Sequence, residues 1–98
     1  MSRKKLLTEF VQEAGKREFA ALPKYGVFDP KKDKRILSVE AQEENIDILN
    51  YMRFLHRKHP SLREDINKVK RLAFDLYVLL RNLEARELEL TRKKGGAL

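Results

Sequence analysis

A chain of 98 residues holds one domain at most, and at that size it buries only about 60–65% of its unfolded surface, so its own core is small. Twenty-two Lys and Arg against fifteen Asp and Glu leave a net charge of +7, a balance that attracts phosphate-rich partners such as nucleotides or nucleic acid. The absence of cysteine excludes a disulfide framework and a thiolate metal site, and no run of about 20 apolar residues is present to span a membrane.

The basic opening Met1-Ser2-Arg3-Lys4-Lys5 is followed by mixed apolar and charged residues rather than the apolar stretch of a secretory leader. With the lack of cysteine, this points to the cytoplasm. The first helix is expected over residues 3–22. Leu6, Leu7, Phe10, Val11 and Ala14 fall on one apolar face, and Pro23 ends the segment because it disfavours helical angles in the residue before it. The connection through Asp33 carries Pro23, Gly26 and Pro30 and reads as a turn-rich loop. Tyr25, Val27 and Phe28 are apolar for a loop, and are expected to pin it over the core or to wall a ligand pocket.

A second helix is expected over residues 34–58, capped by Asp33 or Ser38 and closed by Pro60. Ser61-Leu62-Arg63-Glu64 has the Ser-x-x-Glu form of a capping box, so a third helix is placed over residues 62–92. Gly95-Gly96 then releases a basic, flexible tail over residues 93–98. Along the third helix Leu62, Ile66, Val69, Ala73, Leu76, Leu80, Leu83 and Leu90 keep steps of four and three, interrupted only by Glu87. This is a heptad seam. The stretch from Leu72 to Leu80 is apolar on every side but Asp75, and a helix apolar all round must be covered all round. The fold class is therefore all-α: one three-helix domain over residues 1–98. Its helix 62–92 is expected to build a homo-oligomeric bundle, a dimer or a tetramer.

Candidate chemistry lies on the second helix. Glu40, Glu44 and Asp47 line up on one stripe, continued by Ile36 on one side and Tyr51 and Phe54 on the other. Leu37, Ala41, Ile48, Met52 and Leu55 run beside it, and Gln42, Asn50, Arg53 and Arg57 fall on the opposite, wet side. Carboxylates in line with apolar residues need a compensating charge. Mg²⁺ or Mn²⁺, bound by oxygen and keeping waters for a phosphate ligand, would supply it. So would Lys68, Lys70 or Arg71 across the bundle. Glu40, Glu43, Glu44 and Asp47 are the candidate metal ligands, and no catalytic residue is assigned. Asp75 is expected to pair with Arg71 one turn earlier or to join the acidic stripe. His56 and His59 read as surface histidines, and Tyr51 as a core residue with a bonded hydroxyl.

The run Glu44-Asn45-Ile46-Asp47-Ile48-Leu49-Asn50-Tyr51-Met52 resembles the Glu-x-x-Asp-x-x-x-Tyr helix of the MazG-like, all-α nucleoside triphosphate pyrophosphohydrolases. Residues 25–51 are also similar to small phage and bacterial proteins related to that group, through Tyr25-Gly26, Phe28-Asp29-Pro30, Asp33, Arg35, Leu37, Glu40-Ala41, Glu43-Glu44, Asp47 and Asn50-Tyr51. The resemblance implies a dimeric or tetrameric bundle. It also implies Mg²⁺ on Glu44 and Asp47, and attack of water between the α and β phosphates. Lys24, Arg35, Asn50 and Tyr51 are then the candidate substrate contacts. The family's earlier Glu-Glu-x-x-Glu helix has no counterpart upstream of Glu40, where Glu9, Glu13 and Glu18 are dispersed. Either Glu40 and Glu43 replace it or the chain is an inactive relative. The alternative is a basic helical dimer that binds nucleic acid or a partner protein.

Overall fold

The computed structural model of the chain describes residues 2–96, with side chains through residue 93. It is all-α: three helices, α1 (Arg3–Tyr25), α2 (Leu37–Lys58) and α3 (Arg63–Gly96), with a single 3-10 turn, Pro60–Leu62, between the last two. The chain divides into two units, Met1–Lys34 and Arg35–Leu98.

In the first unit, the Ser2 hydroxyl accepts from the Lys5 N–H at 3.2 Å and opens α1. The helix does not stop before Pro23, as expected, but carries it in its last turn and ends at Tyr25. A proline there removes one N–H near the end of the helix rather than in its middle. Gly26 then terminates α1 at φ 73°, and its N–H reaches the Leu22 carbonyl at 2.8 Å. Asp29 organises the loop. Its carboxylate accepts from the Lys31 N–H at 3.0 Å, and its carbonyl accepts from Lys32 and Asp33. Tyr25, Val27 and Phe28 are exposed. Leu6, Leu7, Phe10 and Val11 on the apolar face of α1 are exposed as well, and so is Phe19.

The second unit is a helical hairpin. The 3-10 turn at Pro60–Leu62 reverses the chain, with Leu62 N–H on the His59 carbonyl at 3.1 Å. Ser61 lies inside this turn, so the turn rather than a Ser61–Glu64 box opens α3, one residue later than expected. At its other end α3 continues through Gly96, past the expected stop at residue 92. A Lys93–Glu89 ion pair at 3.4 Å lies in its final turns. Ala97 and Leu98 of the expected tail lie outside the described residues.

The α2–α3 seam has a heptad of its own. Between residues 63 and 93 the residues that are not exposed are Ile66, Lys70, Ala73, Tyr77, Leu80, Glu84 and Glu87. Their steps alternate four and three, the spacing of a coiled-coil contact. Three of the eight expected seam residues are confirmed: Ile66, Ala73 and Leu80 face α2, while Leu62, Val69, Leu76, Leu83 and Leu90 are exposed. On α2 the matching positions are Ser38, Gln42 and Asn45, all buried, followed by half-buried Met52 and His56. Gln42, assigned by its neighbours to the wet side, is thus inside. Ile66 (2% exposed) and Ala73 (8%) are the buried apolar residues among those described. The hairpin is closed by polar side chains more than by hydrocarbon.

Candidate functional site

Three polar links hold the hairpin shut. The first is at the N-terminus of α2. Its N-cap residue is Ile36, which has no side-chain oxygen to offer, so neither Asp33 nor Ser38 caps the helix. The cap comes from α3 instead. Glu87 accepts from the Leu37 N–H at 2.9 Å, the Ser38 N–H at 2.8 Å and the Ser38 hydroxyl at 2.6 Å. One carboxylate therefore satisfies two of the unpaired N–H groups of the first turn and sits at the positive end of the helix dipole. The Ser38 hydroxyl and the Ser38 N–H, joined by the Leu37 N–H, lower the pKa of Glu87 from the usual glutamate value, against the opposing pull of partial burial.

The second link is Gln42, whose side-chain amide donates to the Glu84 carboxylate at 2.7 Å and reaches the Leu80 carbonyl at 3.5 Å. The third is Asn45, 4% exposed, whose amide donates to the Ala73 carbonyl at 2.8 Å. Its side-chain oxygen is buried without a hydrogen-bond partner. Beside it, Ile46, Leu49, Phe74 and Tyr77, with Lys70, line a largely apolar cavity of about 420 Å³.

Glu40, Glu43, Glu44 and Asp47 are all exposed. The stripe of Glu40, Glu44 and Asp47 therefore does not share the buried side of α2, because that side belongs to Ser38, Gln42 and Asn45. Among the described residues no three His, Asp or Glu side chains converge as a metal-binding group within the chain. Of the candidate substrate contacts, Tyr51 is 67% exposed rather than core and Asn50 is half-buried on α2. Arg35 is exposed ahead of the same helix. Lys24 belongs to the first unit, where its ammonium lies 5.1 Å from the centre of the Tyr25 ring. Asp75 is exposed, and no ion pair with Arg71 is present among the described residues.

Of the residues that organise this unit, Glu87 was expected only as a break in the leucine seam and Gln42 on the wet side, and Asn45 and Glu84 had no assigned role. A signal was there. Ser38, Gln42 and Asn45 keep steps of four and three on α2, as Leu80, Glu84 and Glu87 do on α3. Polar residues at seam spacing on two successive helices read as a polar seam once charge is not taken as a mark of solvent.

The apolar surface lies elsewhere on the hairpin. Ile46 and Phe74 face one cavity, so they mark one side of it. Two residues further on is about 200° round a helix, which puts Ile48 and Leu76 together on the other side. That side carries Leu37 and Ile48 from α2 and Val69, Leu72, Leu76, Leu79, Leu83 and Leu90 from α3, all exposed. No helix in the described chain is long and apolar enough to cross a membrane, so lipid does not account for this surface as a spanning segment.

Comparison with protein-family models, curated proteins and solved structures finds no match to this chain.

Proposed function

We propose that the protein acts by association, as one building block of a homo-oligomeric helical bundle. The observation that carries this reading is the reversed dressing of α3. Its seam toward α2 includes Lys70, Glu84 and Glu87, while Leu72, Leu79 and Leu90, each more than 60% exposed, stand on a face that nothing in the chain's second unit covers. A contiguous apolar face of this kind marks an interaction surface. Light scattering at micromolar concentration tests it: a dimer or tetramer is expected, and a monodisperse monomer overturns it.

A second reading is favoured by one specific feature. Glu40, Glu44 and Asp47 share an exposed stripe on α2. Exposed carboxylates at these spacings are hard oxygen donors suited to Mg²⁺, which keeps part of its water shell. In the MazG-like reading Glu44 and Asp47, with Glu40 and Glu43 beside them, would hold the metal, which would neutralise a nucleotide's phosphate charge. Arg35, Asn50 and Tyr51 of the same unit would be the contacts to the nucleotide. Thermal unfolding with and without millimolar Mg²⁺ or Mn²⁺ tests this reading, since a ligand of the native state alone raises its stability. The expected result is a metal-dependent rise in Tm in the wild type that is absent in Asp47→Asn. Indifference to metal removes it. If the basic protein then forms a salt-sensitive complex with DNA or RNA, the association serves nucleic-acid binding instead.

A further inference from the structure

We infer that the exposed face of α3 docks antiparallel on α3 of a second copy of this chain, in one register centred between Leu76 and Leu79. This rests on the reading of the protein as a self-associating block and specifies the partner, its direction and its alignment. Three observations carry it.

The first is a second heptad. Val69, Leu72, Leu76, Leu79, Leu83 and Leu90 keep steps of three and four, with Arg86 filling the place between the last two. This seam is distinct from the one α2 occupies, and its apolar members are all exposed. Ile48 and Leu37 of α2 are exposed on the same side and extend this apolar surface.

The second is direction. A parallel, in-register pair would set Asp65 on Asp65, Arg86 on Arg86 and Lys93 on Lys93, since these occupy equivalent seam positions seven residues apart or multiples of seven. Like charges at such positions are unfavourable. An antiparallel pair avoids all three.

The third is charge complementarity. Within the chain, Lys68 pairs with Asp65 at 4.0 Å and Lys93 with Glu89 at 3.4 Å, and all four side chains are exposed. In the antiparallel register Leu76 meets Leu79 and Leu72 meets Leu83 of the second copy. The same alignment brings Lys68 opposite Glu89 and Asp65 beside Lys93 of the second copy. The two intrachain pairs thereby become one alternating four-charge cluster, repeated by the two-fold axis. It also sets Asp75, which lacks a pair with Arg71, opposite the side-chain amide of Asn82. The flank used, residues 68, 75, 82 and 89, is the one α3 does not give to α2.

The experiment combines one distance with one charge exchange. The chain has no cysteine, so Asn67→Cys carries a single nitroxide label, and pulsed spectroscopy reads the separation of the two labels in the oligomer. The antiparallel register predicts roughly 30–40 Å, from about 21 residues of helix at 1.5 Å each, against less than about 20 Å for a parallel pair. Lys68→Glu is expected to weaken association about five-fold, the scale of two exposed ion pairs. Lys68→Glu combined with Glu89→Lys is expected to restore it to within about two-fold, although both intrachain pairs stay broken. Circular dichroism confirms that each variant is folded. A wild-type monomer overturns both this inference and the association reading. A stable oligomer with a short label distance, or without rescue by the exchange, overturns the inference alone.

Discussion

The two long faces of α3 invert the usual arrangement of an amphipathic helix. The face toward α2 carries Lys70, Tyr77, Glu84 and Glu87 among its contacts, and its buried apolar members are Ile66 and Ala73. The face turned away carries leucine at nearly every seam position and is exposed. Polar contacts between helices add little net stability but specify which surfaces meet and in what register. Hydrocarbon contacts supply free energy with little direction. The inner face thus sets how α2 and α3 align, and the outer face holds the burial that the hairpin does not use internally.

Breaking the inner face at its one well-buried aliphatic residue has the largest expected effect. Ile66→Ala is expected to cost about 2–4 kcal/mol, the range for truncating a buried aliphatic side chain, read as a lower urea midpoint with unchanged denaturant slope. Next comes the shared carboxylate. Glu87→Gln leaves a hydrogen-bonding group of the same shape but removes its charge from the end of α2, and is expected to cost about 1–2 kcal/mol, the scale of a lost cap with its dipole term. The sign with pH follows from the lowered pKa. Glu87 binds its proton less readily in the folded chain than in the unfolded one, so its contribution is complete above the usual glutamate value. It is lost as pH falls below that value through the lowered folded pKa. The difference in Tm between wild type and Glu87→Gln should therefore be largest near neutral pH and close towards pH 3. A gap that stays constant over that range would refute the capping role. The smallest effect is expected at Asn45. Its buried oxygen lacks a partner, so Asn45→Leu removes an unfavourable burial together with one hydrogen bond. A change of less than about 1 kcal/mol in either direction is expected. The informative readout is uniqueness: a buried seam asparagine fixes register, so broadened amide resonances in Asn45→Leu are expected even where Tm is unchanged.

Much of the fold was legible in the sequence. The all-α class followed from periodicity, and Pro60 correctly divided the last two helices. The element ends moved where a local signal was outweighed. Pro23 was accommodated in a final turn, and Ser61 entered a 3-10 turn instead of serving as a cap. The start of α2 could not be read locally, because its capping group lies about fifty positions later in the chain. Glu87 looked like a flaw in a leucine seam and is instead the group that begins another helix. For the candidate site, residue type decided the reading of the face. Gln42 was grouped with Asn50, Arg53 and Arg57 on the wet side and Asn45 was given no place, while Glu40, Glu44 and Asp47 were placed beside the core because of their apolar neighbours. The structure reverses the two sets.

The Glu87 clasp also bears on the order of events in folding. It joins α3 to the start of α2 at the open end of the hairpin, 50 residues from Leu37 and as far as the helices allow from the turn at Pro60. Loops near the turn close at the least entropic cost, so pairing is expected to spread from Pro60 outward and reach Glu87 last. An interaction made after the rate-limiting step acts as a latch: it slows opening without hastening closure. In rapid-mixing kinetics, the stability lost in Glu87→Gln should accordingly appear as faster unfolding at an unaltered folding rate.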